Sequence, residues 1–129
     1  MDGTYKKEVM NIKNIKNALS LFEKHEIKRG EALNVGNSSK ANYHYDKIRE
    51  ITGFLKRENA LSDLSIFLKH PNPYVVLGAA VNLLPWDEKK SLEVLKFIEN
   101  NEKGIISIEA EYSIKEWENG NLKKYYTLQ

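Results

Sequence analysis

The 129-residue chain predicts an all-α fold, an α-α superhelix of about six to seven helices, and three observations carry that expectation. The first is an internal repeat. Sliding residues 59–118 along themselves by 31 positions lays Leu61 on Leu92, Leu64 on Leu95, Ala79 on Ala110 and Trp86 on Trp117. The same offset pairs Ile66 with Phe97, Phe67 with Ile98, Val75 with Ile106, Leu77 with Ile108 and Leu83 with Ile114. Apolar character is thus copied even where identity is not. The second observation is the recurrence of apolar residues at steps of three and four, which gathers them on one side of a helix. The third is punctuation: Pro, Gly and Asn interrupt these stripes, and the short β-branched run Ile105-Ile106-Ser107-Ile108 is helical by its repeat alignment. Units of this length cannot bury their apolar faces alone, so they stack into a rod with an exposed groove.

Val9, Ile12, Ile15, Leu19 and Phe22 form the first stripe and predict a helix over 6–27, with Gly30 ending it and a short helical turn over 31–35. Gly36-Asn37-Ser38-Ser39 then supplies a breaker and several N-cap candidates. Ala41, Tyr45, Ile48, Ile51 and Leu55 predict a second helix over 38–58. The two repeats occupy about 59–87 and 88–118. Asn59 is placed to cap a short helix whose Leu61, Leu64, Phe67 and Leu68 face inward, and His70-Pro71-Asn72-Pro73 stops it. Pro73 suits a first helical position, because its ring presets the backbone angle and its missing N–H would be unpaired there. The helix that follows should bury Val76, Ala79, Ala80, Leu83 and Leu84, with Gly78 and the alanines allowing close approach of a neighbour. Pro85 ends that helix, and Asp87 caps the next, which buries Leu92, Leu95 and Ile98. Gly104 makes the turn into a last helix carrying Ile106, Ala110, Ile114 and Trp117, and Asn119-Gly120 is a left-handed stop. The whole reads as a single domain over 1–129.

Composition narrows the function classes. Apolar residues make up 41% of the chain and suffice for a core, and with no cysteine there are no disulfides, thiolate metal sites or cysteine nucleophiles. The start, Met1-Asp2-Gly3-Thr4-Tyr5-Lys6-Lys7, lacks an apolar run after its charges, and no stretch approaches the roughly 18 apolar residues of a membrane span. A soluble cytoplasmic protein with no membrane partner is expected. The net charge of +2 is too small for bulk attraction to nucleic acid. It is unevenly placed, however: residues 1–58 carry twelve basic and eight acidic side chains, and residues 59–118 carry six basic and ten acidic. A basic end and an acidic end can each steer a complementary protein.

The candidate chemical groups are few. His25, His44 and His70 lie far apart, without acidic or histidine partners at the helical spacing that metal ligation favours, so surface or capping roles are expected and no metal or cofactor is called for. His44 stands out because Tyr43, Tyr45, Asp46 and Arg49 surround it. Glu109 and Glu111, two apart on a helix, point to different faces and do not make an acid/base pair. They replace Gly78 and Ala80 of the first copy, as the outer face of a terminal repeat or as an acidic patch that meets a partner. Trp86 and Trp117, at one repeat position, are expected to fill equivalent gaps between hairpins. Seven tyrosines favour a binding surface, since tyrosine is an amphipathic anchor of low entropy cost. No phosphate-cradling glycine loop, nucleophile elbow or zinc-protease helix occurs. The residues expected to meet a partner are Asn42, His44, Tyr45, Arg49, Tyr74, Glu109 and Tyr112.

With Ala79-Ala80 after Pro-Asn-Pro and the echoing tryptophans, the chain resembles short bacterial HEAT-like, armadillo-type repeats. More narrowly, Gly36-Asn37-Ser38-Ser39-Lys40-Ala41-Asn42 with Tyr45-Asp46-Lys47, then His70-Pro71-Asn72-Pro73-Tyr74-Val75, then Ala110-Glu111 with Glu116-Trp117 and Gly120-Asn121-Leu122, resembles the bacterial family called domain of unknown function two thousand and nineteen. The likeness spans roughly residues 18–122, implies an α-α superhelix and brings no activity with it. Val76 departs from the pattern, since HEAT-type helices often carry an arginine after the valine, and so a charge ladder along the groove is not expected.

The function expected is that of a non-enzymatic, monomeric scaffold that binds another protein, of an immunity, antitoxin or regulatory kind. The competing reading is a solenoid holding nucleic-acid backbone along Lys13, Lys16, Lys40, Lys47 and Arg49. The third is an enzyme with a pocket around His44, drawing on Asp46 or Glu109.

Overall fold

A computed structural model describes residues 10–122. Among the described residues there are five α-helices, one 3-10 helix and no strand. The chain divides into two compact units, Met1–Leu61 and Ser62–Gln129.

The first unit is a hairpin of two 20-residue helices, α1 (Ile15–Asn34) and α2 (Ser38–Arg57). The first helix starts later than the apolar spacing suggests, because Asn14 stands in extended conformation and its side chain accepts the Asn17 N–H at 2.7 Å. Asn17 answers by accepting the Lys13 N–H at 3.0 Å, a reciprocal cap that fixes the helix start. Val9 lies outside the described residues, and Ile12 precedes the helix. Nor does Gly30 end α1. The helix runs through it to Asn34, absorbing the turn expected over 31–35, and stops at Gly36, whose φ is +73°. There Asn37 N–H bonds Ala32 C=O and Gly36 N–H bonds Leu33 C=O, the paired bonds of a glycine-terminated helix. A mid-helix glycine costs only about 1 kcal/mol relative to alanine, which burial of this face outweighs.

Asn37 then caps α2 by accepting the Lys40 N–H at 3.0 Å. The end of α2 repeats the same left-handed device with Asn59 at φ +55°, where Ala60 N–H bonds Leu55 C=O and Asn59 N–H bonds Lys56 C=O. Asn59 thus closes α2 rather than capping the next helix. Along α2 the buried side is Ala41, His44, Ile48, Ile51 and Leu55, at steps of three, four, three and four, and Tyr45 points outward. On α1 it is Ala18, Phe22, His25, Glu26 and Ala32, with Ile15 and Leu19 only half-buried.

In the second unit, Leu61–Phe67 forms a 3-10 helix that reaches back one residue into the first. Leu61, Leu64 and Phe67 are buried at every third position, as expected when side chains three apart eclipse one another. The helix α3 (Pro73–Leu83) is apolar nearly all round, burying Tyr74, Val75, Leu77, Gly78, Ala79, Ala80 and Leu83, and it packs against α4 (Glu88–Asn101) and α5 (Ile105–Glu118). Val75 takes the inner place expected of Val76, which is half-buried. Proline at the first turn, the Asp87 cap, and the left-handed Gly104 and Gly120 fall where the sequence puts them, and the Asn72 side chain adds a cap to α3 by accepting the Tyr74 N–H. Ser107 Oγ donates to Glu99 C=O at 2.8 Å and ties the start of α5 to α4.

Burial keeps the 31-residue register at most positions. Leu64 with Leu95, Phe67 with Ile98, Val75 with Ile106, Ala79 with Ala110 and Leu83 with Ile114 are all buried, and Ile66 and Phe97 are each 65% exposed. The tryptophans break it: Trp86 is 57% exposed and Trp117 only 5%. They do not fill equivalent gaps. Pro85 ends α3 before Trp86 is reached, whereas its counterpart Glu116 is a good helix former and carries α5 on through Trp117.

Candidate functional site

Two features of the described residues stand out from ordinary core and surface. One is polar and lies between α1 and α2. The other is apolar and lies on the outside of α5.

Between α1 and α2, the buried stripes bring His25 and His44 together, with Nδ1 to Nδ1 2.9 Å and ring centroids 5.1 Å apart. Tyr43 meets the His44 ring edge-on at 5.0 Å, and Lys47 Nζ lies 5.5 Å from the Tyr43 centroid. Next to His25 on α1, buried Glu26 accepts from Arg29 Nε at 3.1 Å. On α2 the largely buried Lys47 pairs with Glu50 at 3.4 Å. Burial, and after it His44, Lys24 and Lys47, push the His25 imidazole from 6.5 down to about 4. Burial, then Lys40, Lys28 and Lys24, lower His44 as well, with Glu31 pulling the other way. Both rings are therefore neutral near neutral pH. Their bond then needs one ring carrying its proton on Nδ1 and the other on Nε2.

Burial and pairing correct the expectation that His25 and His44 take surface or capping roles. The signal was present in the sequence, because His44 falls on the stripe of Ala41, Ile48 and Ile51, and His25 lies three after Phe22. What was missing is that the two stripes face each other. His70 does cap: its Nδ1 accepts the Asn72 N–H at 2.9 Å just before α3. Among the described residues no group of three or more His, Cys, Asp or Glu is placed to hold a metal ion.

The other residues expected at a partner surface separate into faces. Asn42, Tyr45 and Arg49, at steps of three and four, share the exposed side of α2, opposite His44. Tyr74 is buried at the start of α3 and has no face to offer a partner. Lys47, one of the five basic residues of the nucleic-acid reading, is turned inward and paired, while Arg49 points outward, so these two do not line one surface.

Glu109 and Tyr112 belong to the second feature. The inward side of α5 is Ile106, Ala110, Ile114 and Trp117, the last donating its indole N–H to Glu88 at the start of α4. Ile105, Ile108 and Tyr112 make a second apolar stripe on the outside, with Ile108 and Tyr112 each 64% exposed. By helical position, Glu109 and Glu116 flank it on one side, and Glu111 and Lys115, paired at 3.7 Å, on the other. Tyr112 hydroxyl donates to Glu116 at 3.2 Å and holds that carboxylate beside the stripe.

No family model matches the chain, and no curated protein does. Among solved structures it is similar to the protein RPA1889 from Rhodopseudomonas palustris CGA009, with a TM-score of 0.79 and 22% identity over 89% of this chain and 96% of that one. At that identity the likeness carries the helical fold.

Proposed function

We propose that this chain is a protein-binding module, built as a short α-α superhelix and without chemistry of its own. The observation that carries the reading is the outer stripe Ile105, Ile108 and Tyr112 on α5, three large apolar side chains in line on a helix that already has a separate buried side. Exposing such a row to water is unfavourable by roughly 25 cal/mol per Å², and a partner that covers it recovers that free energy. The exposed row Asn42, Tyr45 and Arg49 on α2 adds a second, more polar surface of interface-like composition. The buried state of Lys47 speaks against the nucleic-acid alternative. An enzyme around His44 is disfavoured because its Nδ1 is already engaged by His25.

The test is affinity capture from the native host by the full chain and by its Ile108→Asp variant, compared by quantitative mass spectrometry. A protein held by the wild type and lost from an equally folded variant supports the reading. Identical captures from both would sink it.

A further inference from the structure

The repeat shows what kind of partner the α5 surface fits. Moving back 31 positions, Ile105, Ile108 and Tyr112 become Tyr74, Leu77 and Val81 on α3. In α3 that row is covered, with Leu77 3% and Tyr74 5% exposed, and Val81 is half-buried. In α5 the same row is open, with Ile108 at 64%. The two helices therefore carry one apolar face that is packed in the first copy and left bare in the second. A repeat that merely closes a stack replaces this face with polar residues. Here Ile, Ile and Tyr stand instead, and the flanks become acidic, with Glu109, Glu111 and Glu116 in α5 replacing Gly78 and Ala80 of α3 and Pro85 just beyond it.

We infer that the outer face of α5 is a docking site for a basic amphipathic helix of another protein, which lies against Ile105, Ile108 and Tyr112 as a further repeat would. This rests on the protein-binding reading above and names its partner. Helix shape follows from the face itself, since residues at steps of three and four along one helix match a second helix laid beside it. Basic flanks follow from the rim: from Ile105 to Glu118 the helix carries Glu109, Glu111, Glu116 and Glu118 against Lys115 alone. Lys115 is itself paired with Glu111. The same rim opposes a second copy docking face to face, because two rows of carboxylates would meet like to like.

The experiment uses the full chain, labelled with nitrogen-15, and three synthetic 18-residue peptides. The first has leucines at steps of three and four flanked by lysine and arginine. The second has the same composition scrambled, and the third the same leucine spacing with glutamate flanks. The expected result is binding of the first peptide at low salt, shifts of backbone resonances centred on Ile105–Tyr112, and at least about tenfold weaker binding in Ile108→Asp or by the scrambled peptide. Tyr112→Ser serves as a second variant should Ile108→Asp disturb the fold. Equal binding of the scrambled peptide, shifts centred away from α5, or an Ile108-dependent homodimer by sedimentation would each overturn the inference. Binding of the acidic peptide alone at α5 would overturn the basic partner and leave the protein-binding reading standing. If no peptide binds, the inference falls, and the capture experiment decides the broader reading by itself.

Discussion

The two tryptophans share a repeat position but not an environment, and their substitution should show it. Trp117 is 5% exposed and its indole N–H donates to the Glu88 carboxylate, whereas Trp86 is 57% exposed beyond the end of α3. Trp117→Phe keeps most of the ring volume and deletes the donor, so the expected loss is that of a hydrogen bond to a charged group, about 1.5–3 kcal/mol. Trp117→Ala adds a cavity and should cost about 3–5 kcal/mol. Trp86→Phe changes an exposed side chain and should stay within about 0.5 kcal/mol. Urea denaturation followed by far-ultraviolet circular dichroism measures each. Because the chain has only these two tryptophans, fluorescence gives an independent reading. Trp86→Phe leaves an emission shifted to the blue and shielded from iodide, and Trp117→Phe leaves one shifted to the red and readily quenched. Glu88→Gln and the double variant close a cycle whose coupling should exceed about 0.5 kcal/mol. Equal costs for Trp86→Phe and Trp117→Phe, or a coupling of zero, would refute the placing of Trp86 in solvent and of Trp117 in the core against Glu88.

Acid should weaken the α1/α2 hairpin before carboxylate titration is complete. The folded pKa of His25 is lowered to about 4 and that of His44 is lowered too, so the unfolded chain binds protons more readily. The stability the pair contributes is complete above about pH 6.5 and is lost as pH falls through 4, with at least about a tenfold rise in hairpin opening. Hydrogen exchange of α1 and α2 peptides between pH 7 and 4, corrected for intrinsic rates, should show this in the wild type and much less in His25→Gln. The same profile in both would count against it. Asn59→Ala places an alanine at φ +55° and should cost about 1–2 kcal/mol, while Asn59→Gly should be neutral or better, both read from denaturation midpoints. Asn37→Ala removes the side chain that accepts the Lys40 N–H and should lose about 1 kcal/mol by the same assay, with Asn37→Ser retaining most of it.

How much was legible in the sequence differs between the fold and the site. Helical character, the turns at Gly36, Pro73, Gly104 and Gly120, and the cap at Asp87 are local matters, since a proline without an N–H or a glycine free to turn left acts on its own neighbours. Apolar spacing continues upstream of Asn14, but the Asn14 side-chain cap overrides it and starts α1 at Ile15. Gly30 is not the stop its type suggests: a glycine permits a left-handed turn without requiring one, and the bonds that close α1 form at Gly36.

The outer row of α5 is half legible: Glu109 and Tyr112 read as partner-facing, whereas Ile108 reads only as the apolar repeat match of Leu77 and Ile105 only as part of a short helical run. Whether a row of this kind is packed or open depends on what lies beside the helix, and the periodicity of a single helix holds no record of its neighbours. The histidine pair shows the same division. Residue spacing alone set His25 on the side of Phe22 and His44 on the side of Ala41, Ile48 and Ile51, because 3.6 residues per turn is a property of the chain. Only the packing of α1 on α2 brings the two Nδ1 atoms to 2.9 Å, desolvates the rings and lowers their proton affinity, since proximity across 19 residues is made by the hairpin and by nothing in the sequence between them.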